Sequence, residues 1–310
     1  MTDPRKPTVT TVILIIIILL LIHHNITRDD TVYQVSLDGT LVNFTGVQDF
    51  IPPFINIISD YFISPKYGIV ACAIRKSMSQ LTTNTMCILY KPEHIDRQSL
   101  NETWHSRRLC TPNDTKFHRS EIFNDSITRI AYLRDPFDRF LSFYLDKCVR
   151  ENNCWGCKSD MRCVVQTLYE ELKKFKKDPN QKSSYVVEHG APLSWNCDFD
   201  KKLSSYNLLA MGPEEDERSA SVAQLGNILT SKNVEKDIVD YIMKGTLAGE
   251  TSHGTHNSKK RVMAEQQMKN DMLVREYLHK IYFYDYLVFP FNRSRLDLKY
   301  QSNFWNRLKN

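Results

Sequence analysis

The most hydrophobic run lies near the start of the chain: Val9 to Ile22 is apolar apart from Thr10 and Thr11, with Arg5 and Lys6 ahead of it and His23-His24 behind. A helix crossing the hydrocarbon core needs about 20 apolar residues, and the core of a cleaved signal peptide about 7–15. Length alone leaves both readings open. The stretch His23-His24-Asn25-Ile26 offers no small-residue cleavage site, which favours an uncleaved signal anchor. Basic residues ahead of such a run stay in the cytosol. The expected organisation is a cytosolic tail over 1–8, a transmembrane anchor over 9–22, a stem over 23–60 and a lumenal domain over 61–310.

Past a break at Pro52-Pro53, apolar strand-like runs alternate with helical patterns from Tyr61 to Val288. Such alternation predicts an α/β fold, a mostly parallel sheet flanked by helices. Two strand-to-helix junctions stand out. Tyr67 to Ile74 reads as a buried strand, followed by Arg75-Lys76-Ser77 and a helix-compatible stretch to Tyr90. Ile127 to Leu133 reads as a second strand, followed by Arg134-Asp135-Pro136. Asp135 is a natural N-cap and Pro136 suits the first helical position, so a helix is expected from there to about Cys148. On it, helical spacing puts Asp135, Asp138, Arg139 and Ser142 on one face, and Phe137, Leu141 and Tyr144 on another that packs inward. Glu265 to Tyr284 predicts one long helix, with Leu273, Tyr277 and Ile281 recurring every fourth residue, and Tyr286 to Phe289 a final strand.

Composition sharpens this. With 310 residues, 42% of them hydrophobic, the chain has room for one α/β domain or two small ones. A net charge of +5 is too mild to imply a nucleic-acid partner, yet suits an anionic donor or an anionic polysaccharide. Six Asn-x-Ser/Thr sequons, at Asn25, Asn43, Asn101, Asn113, Asn124 and Asn292, follow the apolar run, and the eight cysteines are an even number. Both fit an oxidising lumen. Cys154 and Cys157 have a spacing known from zinc sites, but in that compartment disulfides are expected. At least one should close within Cys148–Cys163, with Cys154 and Cys157 bonded elsewhere than to each other. His253 and His256 lack a third ligand, and Glu214 to Glu217 reads as a solvated helix start.

Helix N-termini suit anions, because free backbone N–H groups and the helix dipole point at them. Both junctions offer one. The stretch Arg134-Asp-Pro-Phe-Asp-Arg-Phe-Leu-Ser142-Phe-Tyr resembles the 3′-phosphate motif of Golgi carbohydrate sulfotransferases, most closely the chondroitin and dermatan 4-O-sulfotransferase branch. That motif is an Arg at a strand end, then [Asp/Glu]-Pro-Phe-x-Arg, then Ser-x-Tyr, and every position matches. Pro65-Lys66 through Met78 resembles the family's 5′-phosphosulfate motif, Pro-Lys-x-x-Cys-Thr-x-x-Lys-Arg, with Cys72 and Lys76 aligned. Here two extra residues follow Lys66, Ala73 replaces the threonine, and Arg75 and Ser77 stand where an aromatic and an arginine are usual. Glu188-His189, Cys197-Asp198-Phe199, Glu214-Glu215-Asp216 and the Tyr282–Phe289 segment follow the family's order.

The resemblance implies a P-loop-like sulfotransferase fold and a reaction that moves a sulfuryl group from 3′-phosphoadenosine-5′-phosphosulfate (PAPS) to a sugar hydroxyl of a glycan or glycosaminoglycan. It implies no required metal, and a Golgi membrane protein of single-pass type II topology. Arg134 and Ser142 would hold the 3′-phosphate, and Arg75, Lys76 and Ser77 the phosphosulfate. Lys76 or Arg75 would also neutralise the leaving phosphate. The acceptor proton needs a base, for which His118, between the two motifs, and His189 are the candidates, with Glu121 and Glu188 behind them. Two other classes remain: an inactive lumenal glycan-binding protein of the same fold, and another type II Golgi transferase. A metal-dependent glycosyltransferase would carry Asp-x-Asp after an apolar strand. The nearest stretch, Asp198-Phe199-Asp200, adjoins a cysteine and lacks that strand.

Overall fold

The computed structural model describes residues 49–90, 124, 126–178, 181–212, 215–248, 258–298 and 300. The expected tail and anchor, most of the stem, His118, Glu121, His253 and His256 lie outside them. Among the described residues no helix is long and apolar enough to cross a membrane.

Among the described residues four strands form one sheet, in the order β1 (Asp60–Ser64), β2 (Ile69–Ala73), β3 (Thr128–Leu133) and β4 (Tyr206–Ala210). β2, β3 and β4 run parallel, as the alternating pattern predicts, while β1 is an antiparallel edge strand. The β1–β2 connection is too short for a crossover: only Pro65–Tyr67 and Gly68 separate the strands, and Gly68 takes the left-handed conformation (φ 60°) that a tight reversal needs.

β2 and β3 are buried on both faces, which is why they read as continuous apolar runs. Ile69, Ala71, Ile130 and Tyr132 face helices α1 (Ser79–Tyr90), α5 (Glu215–Ser231) and α6 (Lys236–Ala248). Val70, Cys72, Ala131 and Leu133 face the segment carrying Leu193, Cys197, Phe199 and Leu203, together with Phe289. A third core is helical. It joins α2 (Pro136–Phe143) and the π-helical Tyr144–Arg150 to α3 (Met161–Lys177), α4 (Tyr185–Gly190) and α8 (Met272–Val288). Phe137, Leu141 and Tyr144 are buried there, as their spacing predicts. The packed body reaches back before Tyr61: Phe50 and Ile51 are buried, and the Trp195 indole donates to the Pro52 carbonyl at 2.7 Å.

The expected final strand does not form. Tyr286–Val288 is instead the last turn of α8, because a short apolar run carries no periodicity to separate strand from helix. Asp285 fixes that turn in the interior. Its buried carboxylate accepts from the Leu193 and Ser194 amides, at 2.7 and 3.0 Å, and from the Ser194 hydroxyl at 2.7 Å. The single long helix expected from Glu265 is two helices, α7 (Lys259–Asn270) and α8, divided at Asp271. That aspartate caps α8 by accepting from the Leu273 and Val274 amides.

The described cysteines are oxidised. Cys72–Cys197 spans 125 residues, and Cys148–Cys154 and Cys157–Cys163 close loops six apart. Two bonds thus lie within the predicted cluster, and Cys154 and Cys157 have separate partners. Cys87 is also disulfide-bonded. The expected helix start after Glu214 is α5, with Asp216 exposed.

Candidate active site

The register of β2 and β3 pairs Cys72 with Ala131, so Arg75 and Arg134 leave the sheet at the same level on adjacent parallel strands. The carboxyl ends of such strands are where open α/β sheets bind ligands.

After β2, the Ser77 amide donates to the Ile74 carbonyl at 3.0 Å, closing a tight turn. Lys76 occupies its third position with φ 65°, where glycine is the easy residue, and Met78 is also left-handed (φ 55°). Strain of this kind at a loop of charged residues is typical of functional sites. Arg75 reaches Glu188 at 3.0 Å and Asp60 at 3.6 Å. The Lys76 ammonium pairs with Asp146 on the π-helical segment. Burial pushes the Lys76 pKa down, against the pull of Asp146. Ser77 is fully buried, and its hydroxyl has no partner among the described residues.

After β3, Asp135 caps α2 by accepting from the Phe137 and Asp138 amides, at 2.9 and 3.2 Å, with Pro136 in the first turn as predicted. Asp135 and Asp138 are the acidic neighbours that could have neutralised Arg134, and another residue has taken both. Arg295 forks onto Asp138 at 2.8 and 3.0 Å and reaches Asp135 at 3.0 Å. Arg134 itself makes no hydrogen bond to a described residue. It stands partly buried beside these carboxylates and beside Arg261. A guanidinium left this way presents a fork with the geometry that a phosphate accepts. Ser142 is partly buried on α2.

Arg139 corrects the expected shared face of α2. It does not stand with Asp138 and Ser142 but turns inward, 0% exposed. Its Nε donates to the Arg75 carbonyl at 2.8 Å, and its Nη1 to the Ala191 carbonyl. The motif's second arginine thus ties the first turn to the helix of the second. Sequence reasoning missed this role, because backbone carbonyls leave no mark in residue identity.

His189, on α4, is buried near Lys76, Lys147 and Arg75, with Nδ1 2.7 Å from the Tyr185 carbonyl and the Tyr185 ring 4.3 Å away. Burial, helped by those three cations, pushes its pKa down to about 3, so the imidazole is neutral at physiological pH. Glu188 is engaged twice, by Arg75 and by the Ser183 hydroxyl at 2.8 Å. The half-exposed Tyr185 ring has the Lys147 ammonium 4.9 Å above it. Asp198, from the glycosyltransferase-like stretch, accepts from the Tyr61 hydroxyl at 2.5 Å. No group of three or more metal-ligating side chains is found among the described residues.

A sequence profile described as "Sulfotransferase family" matches residues 59–292. The chain belongs to the sulfotransferase family. In Caenorhabditis elegans, the carbohydrate sulfotransferase chst-1 is 34% identical over 287 residues, covering 84% of this chain and 87% of its own. The putative sulfotransferase vep-2 is 28% identical over 209 residues, covering 62% and 64%. An uncharacterized protein of the same nematode is 27% identical over 277 residues, covering 84% and 77%. No solved structure matches. The profile takes in both junctions, α4 and α8, and the enzyme is a sulfotransferase.

Proposed function

We propose that the enzyme moves a sulfuryl group from PAPS to a hydroxyl of a glycan, with an acceptor of the chondroitin or dermatan 4-O type. The observation that carries this reading is the state of Arg134: it stands at the end of β3 with its acidic neighbours held by Arg295, level with the Arg75–Ser77 turn on β2. Two anion sites at matched strand ends suit a donor with a phosphate at one end and a phosphosulfate at the other. In this reading Arg134 and Ser142 hold the 3′-phosphate. Arg75, Lys76 and Ser77 hold the phosphosulfate, where Ser77 brings a buried hydroxyl in need of a partner.

The reaction breaks the sulfur–oxygen bond to the phosphate and forms one to the sugar oxygen, whose proton must leave. Positioning and fixed charge supply most of the acceleration, as in phosphoryl transfer. His189 is one candidate base: its imidazole is neutral and lies beside Lys76 and Arg75, and burial makes it a weak one until the donor binds. A donor anion that offsets those cations raises its basicity as the substrate arrives. His118, outside the described residues, is the other candidate. The likeness to chst-1 over most of both chains supports a carbohydrate acceptor.

The disulfides, and the exposed sequons at Asn124 and Asn292, fit a Golgi lumenal domain held by an anchor over 9–22. Labelled sulfate transfer from PAPS to a panel of desulfated glycans tests the function. Transfer to chondroitin or dermatan at the 4-position is expected. A folded protein that binds PAPS yet labels no glycan would refute the reading.

A further inference from the structure

Asp146 gathers three cations: the Lys76 and Arg150 head groups, and the Lys147 ammonium at 3.1 Å. Two of them have a second acidic partner, since Glu151 lies 2.7 Å from Lys147 and 3.1 Å from Arg150. Lys76 is different. Among the described residues, Asp146 is the carboxylate it pairs with, and its side chain is only 15% exposed. The contact is therefore easy to break from one side and hard from the other. If Lys76 leaves, Asp146 keeps two cations and no buried charge is stranded. Lys76, mostly out of water, leaves only for another anion.

The secondary structure places this contact. Asp146 lies in the π-helical Tyr144–Arg150, continuous with α2. π-helical turns are rare and concentrate at functional sites. The rod that starts beside Arg134 therefore ends on Lys76, and one helix addresses both ends of the proposed donor site.

We propose that Asp146 is a positioning residue that holds the Lys76 ammonium in the empty enzyme and yields it to the phosphosulfate of the donor, so that donor affinity is set by exchange of Lys76 between two anions. This rests on the reading that Lys76 binds the phosphosulfate. The turn supports the exchange, because Lys76 is fixed at its backbone by a left-handed conformation while only its amine has to move.

The test is PAPS binding by calorimetry to Asp146→Asn, which keeps the shape and removes the charge. A residue that only supported the fold would weaken binding when replaced. Exchange predicts the opposite, a roughly tenfold tighter Kd, or about 1.4 kcal/mol, with the gain shrinking as salt rises. Asp146→Glu should restore parental affinity, and in a Lys76→Ala background Asp146→Asn should gain nothing. Weaker or unchanged binding in Asp146→Asn overturns the proposal. Should that variant fail to fold, Arg150→Gln applies the same logic in reverse. Asp146, with a cation removed, grips Lys76 harder, so donor affinity falls, and the fall disappears in the Lys76→Ala background. Unchanged affinity, or a fall that persists without Lys76, overturns the exchange. If Lys76→Ala alone binds and turns over PAPS as the parent does, the assignment of Lys76 is what has failed.

Discussion

Replacing Arg139 by methionine removes a guanidinium that is 0% exposed and leaves the Arg75 and Ala191 carbonyls without their donor. A buried acceptor stripped of its partner costs about 1–3 kcal/mol, so two cost about 2–6 kcal/mol. Relief from burying the arginine's own charge offsets part of this, which places the expected loss near 2–4 kcal/mol. Against a total stability of about 5–15 kcal/mol, that is a large fraction. The shift should be read from urea unfolding of the protein with its disulfides intact. Arg139→Lys keeps one donor and should lose about half as much. Donor binding should weaken in both variants, because the Arg75 carbonyl belongs to the turn that presents Lys76 and Ser77. A methionine variant within about 0.5 kcal/mol of the parent would refute the view that this arginine ties the two junctions together.

Arg134→Ala should lower PAPS affinity at least tenfold, or about 1.5–3 kcal/mol for a charge-assisted pair, with the urea midpoint unchanged, while Ser142→Ala should do less. His189 should weaken the fold in acid. Its folded pKa, about 3, lies below the usual value of 6.5, so between those pH values the unfolded chain takes up a proton that the folded one refuses. Its share of stability, complete above pH 6.5, is lost on acidification by up to about 1.4 kcal/mol per pH unit. His189→Asn should flatten that limb when urea midpoints at pH 7 and pH 5 are compared, and an unaltered limb would count against the buried neutral imidazole. Loop-closure entropy makes the bridges unequal. Losing Cys72–Cys197, across 125 residues, should cost about 5 kcal/mol, and losing Cys148–Cys154, across six, about 2 kcal/mol. Melting of the paired serine variants measures both.

What the sequence disclosed was local. The two strand-to-helix junctions, the Asp135 cap with Pro136 and the inward face of α2 are written in spacing and in residues with strong positional preferences, and all three stand in the structure. What it concealed depends on partners distant in the chain. Tyr286 to Phe289 has the composition of a strand, and helix prevails there because Asp285 is anchored to amides 91 and 92 residues away. Arg139 and Ser142 look alike as members of one helix face, and only the carbonyls of Arg75 and Ala191 separate them. Arg134 reads as a phosphate ligand or as a partner of Asp138 until Arg295, 157 residues beyond Asp138, is seen to hold that carboxylate. His189 was legible as a histidine beside a glutamate, but its neutrality comes from burial.

The bond between Cys72 and Cys197 has a consequence for biosynthesis. Cys148, Cys154, Cys157 and Cys163 all emerge from the ribosome after Cys72 and before Cys197. Each of the four finds its mate six residues away, within moments of entering an oxidising space. Cys72 has to wait, reduced or wrongly joined, until the whole β3 and helical segment has followed it. The turn that bears Lys76 lies just past this waiting thiol, so it is among the last features to be locked. A cell with good oxidant but little isomerase would make molecules with both short loops closed and the Arg75–Ser77 turn unformed.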